Sequence, residues 1–188
     1  CIIRERLNHP YTALAQVRCN AKQFKSIPKR SYECKGRLIQ IPSNYVTRDK
    51  STNGIAHYRR VSSNGAIHAT DDQDWDGSFR DLQYTDNPAW VFYDIVTHNR
   101  YGLGTWIETS DIDKYALYRI ARYCDEMVPD GAGDNEPRFT TNVYFQKAAD
   151  AYKVLKDLAT VFRGMLYWLD GNIFPVMDEP KDPVYNFT

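Results

Sequence analysis

The sequence predicts an α+β fold with a β-rich first part, about three helices and a C-terminal β-hairpin. In the first half, short apolar or alternating runs lie between prolines and glycines, which is typical of strands. In the second half, apolar residues recur at helical spacing. The 188 residues are 43% apolar and 26% charged, which is ordinary for a globular protein with one full domain or two small ones. The expected division is a β-rich part over 1–49, an inserted polar loop or hairpin and linker over 50–80, and an α+β domain over 81–188.

The β-rich part rests on two runs, "YTALAQVRC" at 11–19 and "GRLIQIP" at 36–42. The chain then becomes polar over 43–74, where Asn-Gly pairs at 53–54 and 64–65 indicate turns. This stretch is expected to form a long loop or a small inserted hairpin.

The first helix is predicted after Asn87, whose side chain can cap it, with Pro88 at the first helical position. Polar residues followed by Gly102 and Gly104 indicate its exit. These two glycines do not form a dinucleotide-binding fingerprint, because position 107 is Ile107 and no strand precedes the turn.

This helix is apolar on nearly every side, since Asp94 is the single polar residue over 89–96. Eight residues cannot cross a bilayer, which needs about 20, so the helix is expected to lie in a core or at a subunit interface. Trp90 and Tyr93 are the predicted interface candidates. The positions favoured for the core are Phe92, Ile95 and Val96.

The later elements follow from capping and periodicity. Ser110 and Asp113 suggest a capping box for a second helix with the apolar face Ile112, Ala116, Ile120, Tyr123 and Met127. A strand is expected over "RFTTNVYF", residues 138–145. A third helix would bring together Ala148, Tyr152, Leu155, Ala159 and Phe162.

Glycines mark the end of the third helix and a turn in the segment after it. Gly164 is expected as the residue that follows the helix. The segment "MLYWLDGNIFPVM" predicts a hairpin, with Asp170 and Gly171 in a type I′ turn.

One acidic segment resembles part of an EF-hand calcium loop. Asp72, Asp74, Asp76 and Gly77 occupy ligand and turn positions, but Gln83 stands where a bidentate carboxylate is needed. A solvated acidic turn is therefore favoured over a calcium site. The similar segment 130–136 has no recognised ligand spacing.

Catalytic and metal-binding patterns do not emerge from the sequence. There is no G-x-S-x-G or H-E-x-x-H motif, and the four cysteines form no C-x-x-C pair. The histidines fall in predicted loops or strand ends. We therefore predict no catalytic residues, no cofactor and no metal. The chain starts at Cys1 without a leader or a membrane-spanning run, so we expect it to be a piece of a longer protein.

The charge is strongly asymmetric although the formal net charge is zero. Residues 1–70 contain 13 Lys and Arg against three acidic residues, a balance of +10, and residues 71–188 contain 11 against 21, a balance of −10. Such asymmetry can indicate nucleic-acid binding. Because the basic residues are scattered through a strand-like region, a subunit-facing or solvated surface is an equally good interpretation.

The order of the segments resembles the tail tip attachment protein J family of lambda-type long-tailed phages. The resemblance covers nearly the whole chain and departs at 50–73, where about 20 residues appear as an insertion. The segments that carry it are "YTALAQVRCNAKQF", "RLIQIPSNY", "WDGSF", "NPAWVFYDIVTHNRYGLG", "DIDKYALYRIARYCDEMVPDG", "EPRFTTNVYF" and "AYKVLKDLATVFRGMLYWLDGNIFPVMDEP".

The resemblance implies part of the N-terminal region of a trimeric baseplate hub that closes the tail tube and supports host attachment and DNA delivery. Its expected partners are further copies of itself and the neighbouring tail tip, tail tube and tape measure proteins, in the virion tail tip after assembly in the host cytoplasm. It implies no catalysis and no cofactor. We also expect no membrane insertion by this fragment, and no tight binding of nucleic acid, since a passage that DNA must slide through should not hold it tightly. The alternatives are a tail-associated cell-wall hydrolase and a calcium-stabilised adhesion module.

Overall fold

A computed structural model of the chain describes eight ranges: 14–20, 22–26, 29–32, 36–46, 57–61, 67–69, 75–145 and 150–180. The chain divides into two compact units, residues 1–34 and residues 35–188. The boundary falls inside the predicted β-rich part.

In the first unit, the described residues form no strand. Residues 14–19, the described part of the predicted strand over 11–19, have no regular structure. The Asn20 carbonyl oxygen instead accepts hydrogen bonds from the backbone N–H groups of Gln23 and Phe24, both at 3.0 Å, which forms a turn. Every described residue of this unit is exposed to solvent.

The second unit has the predicted α+β class, and its described residues form three helices and small antiparallel sheets. The elements are β1 Tyr45–Val46, β2 His57–Val61, β3 Ile67–Ala69, α1 Pro88–Thr97, α2 Lys114–Asp125, β4 Met127–Pro129, β5 Asn135–Pro137, α3 Ala151–Val161, β6 Gly164–Leu169 and β7 Asn172–Met177, with a 3-10 turn at Thr109–Asp111 before α2. β1, β2 and β3 form one antiparallel sheet, β4 pairs with β5, and β6 pairs with β7. β2 and β3 lie within the predicted insertion and form a small hairpin there.

The first helix begins and ends where the sequence predicts. The Asn87 side-chain oxygen accepts a hydrogen bond from the Ala89 N–H at 3.0 Å. Its Nδ2 atom donates to the Asp125 carboxylate at 2.7 Å and to the Ala121 carbonyl at 2.8 Å. The same residue therefore caps α1 and attaches it to the C-terminal end of α2.

An aromatic cluster forms the centre of the second unit. Trp75 stacks on Tyr118 of α2 with ring centroids 4.9 Å apart, and its edge meets Trp90 of α1 at 5.9 Å. On the other side of α1, Phe92 meets Phe162, just after α3, at 6.1 Å. α1 is thus covered on both sides by its own chain.

The structure buries Trp90 and Tyr93, the two predicted interface candidates. The Trp90 side chain is 0% exposed and that of Tyr93 is 4% exposed. Tyr93 stacks on Phe79 at 4.8 Å. The chain itself therefore buries both rings almost completely. Phe92 and Val96 are buried as expected, and Ile95 packs against the core from a partly buried position.

The segment 138–145, predicted as a strand, is irregular. Its backbone bonds go to helix ends rather than to a neighbouring strand. Phe139 N–H donates to the Cys124 carbonyl at 3.1 Å, and Thr141 N–H donates to the Asp86 carbonyl at 2.8 Å. The segment before it, β5, pairs with β4 instead.

Helix caps also differ from the prediction in detail. Asp113, not Ser110, caps α2, since its carboxylate accepts from the N–H groups of Tyr115 and Ala116 at 3.0 and 2.9 Å. Asp150 caps α3 through the Lys153 N–H at 3.0 Å. The residue in the left-handed conformation after α3 is Arg163, with φ 54°.

Gly164 and Tyr152 also differ from their predicted places. Gly164 is the first residue of β6, and its close contact with the Phe162 ring leaves no room for a side chain. Tyr152, predicted on the buried face of α3, is exposed.

Candidate subunit interface

The C-terminal hairpin is built as the sequence predicts. Leu169 of β6 pairs with Asn172 of β7, which leaves Asp170 and Gly171 as a two-residue turn. Their φ angles are 52° and 79°, so both lie in the left-handed region that a type I′ turn requires. The turn fixes the register, and the register decides which side chains share a face.

One face of this hairpin is apolar and open to solvent. Met165 pairs with Val176 and Tyr167 pairs with Phe174, so these side chains lie on the same side as Leu169. Their exposed fractions run from 37% for Phe174 to 66% for Leu169. We call these five residues the outer face of the hairpin.

An aromatic groove lies on the other side of the hairpin, because Trp168 pairs with Ile173 and their side chains alternate with those of the outer face. Three of its rings are largely exposed, namely Trp106 at 78%, Tyr152 at 70% and Trp168 at 64%. The groove has a volume of about 370 Å³. It is lined by Leu103, Trp106, Ile107, Tyr152, Leu155, Leu166, Tyr167, Trp168 and Ile173.

Two segments that contribute to these apolar residues are acidic, and Lys114 and Arg163 directly adjoin them. Residues 164–180 contain Asp170, Asp178 and Glu179 and no Lys or Arg. Residues 103–113 contain three acidic residues and likewise no Lys or Arg. We call the outer face, the aromatic groove and these acidic residues together the hairpin surface.

The hairpin surface has the composition of a protein interface. Exposed apolar patches of several hundred Å² on a folded domain mark interaction sites, and aromatic residues are enriched in interface cores. The sequence identified the hairpin but not this role, because alternation alone does not say which face remains uncovered.

A second, more polar cluster lies at the exit of α1. Tyr101 donates a hydrogen bond to the Asp94 carboxylate at 2.5 Å, and its ring stacks on His98 at 3.8 Å. The Arg37 guanidinium lies 4.0 Å from the centre of the Tyr101 ring. Two neighbouring cavities of about 230 and 620 Å³ share Arg37 and Tyr101 in their linings.

The ionisation of this cluster follows from its burial. Burial raises the pKa of Asp94, although the hydrogen bond from Tyr101 opposes the shift. Burial and the Asp94 carboxylate raise the pKa of Tyr101. The tyrosine therefore stays protonated and donates to the carboxylate at neutral pH. These contacts attach the helix exit to Arg37.

The two glycines after α1 are explained by close backbone contacts. A Cβ atom on Gly102 would lie 1.9 Å from the Ile95 carbonyl oxygen, and one on Gly104 would lie 2.1 Å from the Thr97 carbonyl oxygen. The chain turns back against the helix end at both positions. Glycine here serves packing at the helix exit.

The acidic segment before the core forms a capped turn at its described end. The Asp76 carboxylate accepts hydrogen bonds from the Ser78 N–H at 2.8 Å and the Ser78 hydroxyl at 2.5 Å, and these bonds lower its pKa. Lys114 Nζ donates to the Gly77 carbonyl at 2.8 Å, which places a cation beside the turn. Asp72 and Asp74 lie outside the described residues.

Trp75 of that segment was not predicted to be in the core, but its ring is buried against Tyr118 and Trp90. The local sequence suggested an acidic loop, and no nearby periodicity indicated a core position. The contact is made by α1 and α2, which are distant in sequence.

The other acidic segment, 130–136, is held by its own backbone. Asp130 Oδ1 accepts from the N–H groups of Ala132, Gly133 and Asp134 at 2.7, 3.1 and 3.1 Å. These bonds lower the pKa of the Asp130 carboxyl. Across the described residues, no cluster of three or more His, Cys, Asp or Glu side chains could hold a metal ion. Among the described helices, none has the length and apolar character needed to cross a bilayer.

Two curated phage proteins are similar to this chain over nearly all of its length. Over 179 residues, 95% of the chain, it is 42% identical to Tip attachment protein J of Escherichia phage SECphi4. Over 188 residues, 100% of the chain, it is 35% identical to Tip attachment protein J of Escherichia phage SECphi27. The chain spans 14% of the length of each relative. No protein-family model matches it. The resemblance predicted from the order of the segments is thereby confirmed.

Proposed function

We propose, from the premise that this chain is a homologous segment of the Tip attachment protein J family, that it is a structural component of a phage tail tip. The observation that supports this most strongly is sequence identity of 42% and 35% across 95% and 100% of the chain. The hairpin surface supports it independently, because a subunit of an assembly needs an apolar surface that its own fold leaves uncovered.

The finer proposal is that the chain is part of a trimeric hub at the end of the tail tube, where it supports host attachment and DNA delivery. Its partners would then be other copies of itself and the neighbouring tail tip, tube and tape measure proteins. We place it in the virion tail tip, after assembly in the host cytoplasm.

Nucleic acid is not among the proposed partners. The acidic groups of the hairpin surface repel phosphates, and a passage that DNA must slide through should not hold it tightly, since phosphate contacts give strong, salt-dependent affinity. A titration of the chain with duplex DNA at physiological salt should show no submicromolar binding.

The proposed function is tested by locating the chain in virions. Antibodies raised against the 188-residue chain, with gold labels, should mark the tail tip of the phage that encodes it. Pre-incubating the antibodies with the purified chain is the control. Labels on heads or along the tail shaft would contradict the proposal.

A hydrolytic role is tested separately with purified peptidoglycan. We expect the folded chain to release no soluble fragments above a heat-denatured control. Release that is abolished by substitution of one carboxylate would identify a cell-wall hydrolase instead.

A further inference from the structure

The backbone of the C-terminal hairpin alternates in the direction of its hydrogen bonds. The pair that flanks a two-residue turn, here Leu169 and Asn172, is hydrogen-bonded, and bonded pairs then alternate with non-bonded pairs along the ladder. The odd-numbered residues of β6 therefore direct their N–H and C=O groups toward β7. Leu166 and Trp168 direct theirs to the opposite edge, away from β7.

The outward edge of β7 is closed. Pro175 stands opposite Leu166, at a position where the N–H of any other residue would face outward, and proline has none. The carbonyl of Ile173 also faces outward, and it accepts a hydrogen bond from the Asp113 N–H at 3.2 Å. A further strand therefore has little to bind on this edge.

The outward edge of β6 is open. Among the described residues, no backbone hydrogen bond joins Leu166 or Trp168 to a residue outside the hairpin. β6 also lacks the lysines, prolines and bulges with which proteins protect an exposed edge strand. Because a two-stranded hairpin is marginally stable by itself, this edge is suited to receive a third strand.

The aromatic groove lies along the open strand. Its lining includes three consecutive residues of β6, Leu166 to Trp168, and one residue of β7, Ile173. In an added strand, the residues opposite Leu166 and Trp168 place their side chains on the same side as these two, which is the side of the groove. The edge thus offers backbone hydrogen bonds and the groove offers space for side chains, the combination used in strand addition.

We infer that the β6 edge and the aromatic groove bind an extended segment of a neighbouring tail tip protein, which adds a third strand to the hairpin. The inference rests on the proposed role as a tail tip component. None of the described residues that line the groove is charged, and neither is any residue of β6. The bound segment is therefore uncharged and apolar where it faces them, since an unpaired charge is costly to bury.

Symmetry and length argue against a strand from a second copy. Antiparallel pairing of β6 with another β6 relates two copies by a two-fold axis, whereas the proposed hub is trimeric. β1, β3, β4 and β5 have two or three residues each, which is short for an edge of six residues. Charge does not select the occupant, because Lys153 and Glu108 both adjoin residues of the groove.

Amide hydrogen exchange of the 188-residue chain, followed by NMR, tests whether the edge is open. The amides of Leu166 and Trp168 should exchange about tenfold faster than those of Met165 and Tyr167, because the latter donate within the hairpin. Equal protection of the four amides would show that the chain itself covers this edge and would overturn the inference.

Photo-crosslinking in cells infected by the phage identifies the occupant. A benzophenone side chain placed at Tyr152, which is 70% exposed and lines the groove, should crosslink to another tail protein. Mass spectrometry should locate the crosslink in an uncharged, apolar segment of that protein. A benzophenone at Tyr115, which is 52% exposed and outside the groove lining, is the matched control and should not give this product.

Two substitutions of Trp168 separate the contribution of the edge from that of the groove. Trp168→Ala removes the ring, whereas Trp168→Pro also removes the outward N–H and leaves the bonds between β6 and β7 in place. The crosslink yield per copy should fall for Trp168→Ala and about fivefold further for Trp168→Pro, as expected for one lost hydrogen bond. Circular dichroism checks the fold of both variants. If Trp168→Pro does not fold, the sequence of the crosslinked segment decides.

The outcomes that would overturn the inference are specific. They are a product between two copies of this chain, a product within one chain, a charged partner segment, no product at all, or equal yields from wild type and folded Trp168→Pro. The gold labels locate the chain independently. Labels at the tail tip without a crosslinked tail protein would contradict this inference alone, whereas labels elsewhere would contradict the proposed function.

Discussion

The aromatic cluster around α1 and the hairpin surface have similar composition but opposite exposure. In the first region, the side chains of Trp75, Trp90 and Tyr118 are at most 5% exposed. In the second, the side chains of Trp106 and Trp168 are largely exposed. The first group lies between elements of one chain, whereas Trp106 and Trp168 line an aromatic groove that is open to solvent. An apolar segment is thus a core or an interface according to what else in the chain can cover it. The following substitutions test that difference.

The largest effect is expected from Trp90→Ala. Truncation of a fully buried aromatic ring removes its contacts and leaves a cavity, which costs about 3–5 kcal/mol of unfolding free energy. Trp168→Ala, the matched change on the hairpin surface, should cost under about 1 kcal/mol, as expected away from a core. Denaturant unfolding followed by circular dichroism compares the two. Equal losses of unfolding free energy in the two variants would show that Trp168 is as much a part of the core as Trp90.

Asn87→Ala should have the next largest effect. It removes the α1 cap and leaves the buried Asp125 without the amide donor at 2.7 Å, so we expect a loss of about 2–4 kcal/mol. Asp150→Ala removes the exposed cap of α3, beside the aromatic groove, and should cost about 1 kcal/mol. Thermal melts of both variants measure the difference. A loss for Asn87→Ala no larger than for Asp150→Ala would show that its bond to Asp125 adds nothing.

Two glycines should respond to substitution for different reasons. Gly102→Ala forces a Cβ against the Ile95 carbonyl oxygen, and overpacking of this kind costs about 1–3 kcal/mol. Gly171 has open space around it but a φ of 79°, so Gly171→Ala meets backbone strain alone, while Gly171→Asn should be better tolerated. Unfolding free energies of the three variants check this. Tolerance of Gly102→Ala would mean that the helix exit can relax.

The smallest effect concerns the pH dependence of stability from Asp94, in the polar cluster at the exit of α1. Because burial raises the folded-state pKa of Asp94, its favourable contribution to stability is full below the ordinary carboxyl pKa of about 4 and is lost as pH rises through the raised value. Asp94→Asn keeps an acceptor for Tyr101 and removes the charge. Its melting temperature should exceed that of wild type at pH 7 and match it at pH 3. A lower melting temperature for Asp94→Asn than for wild type at pH 7 would contradict the expected direction of the Asp94 contribution to stability.

Local chemistry accounts for the elements that the sequence predicted well. The start of α1 follows from Asn87 and Pro88. The register of the hairpin follows from Asp170 and Gly171. In both cases the residues that decide the structure are neighbours in the sequence. The misplaced features depend on distant partners. Trp75 is buried by helices far along the chain, and residues 138–145 have a strand-like composition but no strand beside them.

The candidate site shows the same division. The sequence identified the hairpin, yet it assigned the interface to Trp90 and Tyr93, because an all-round apolar helix satisfies either role. The positions of Trp75, Phe79, α2 and the end of α3 decide that α1 is covered. The charge asymmetry was visible from the sequence, whereas the uncovered face beside the acidic residues required the fold.

The attachment of the hairpin to the rest of the unit has a consequence for amide hydrogen exchange. Among the described residues, one parallel bridge joins Ile173 to Ile112, and the Asp113 N–H donates to the Ile173 carbonyl at 3.2 Å. A hairpin held by so few backbone bonds opens locally at a lower free energy than the whole unit. Its amide hydrogens should exchange early in the isolated chain and slow when the hairpin surface is covered, so their protection reports directly on assembly.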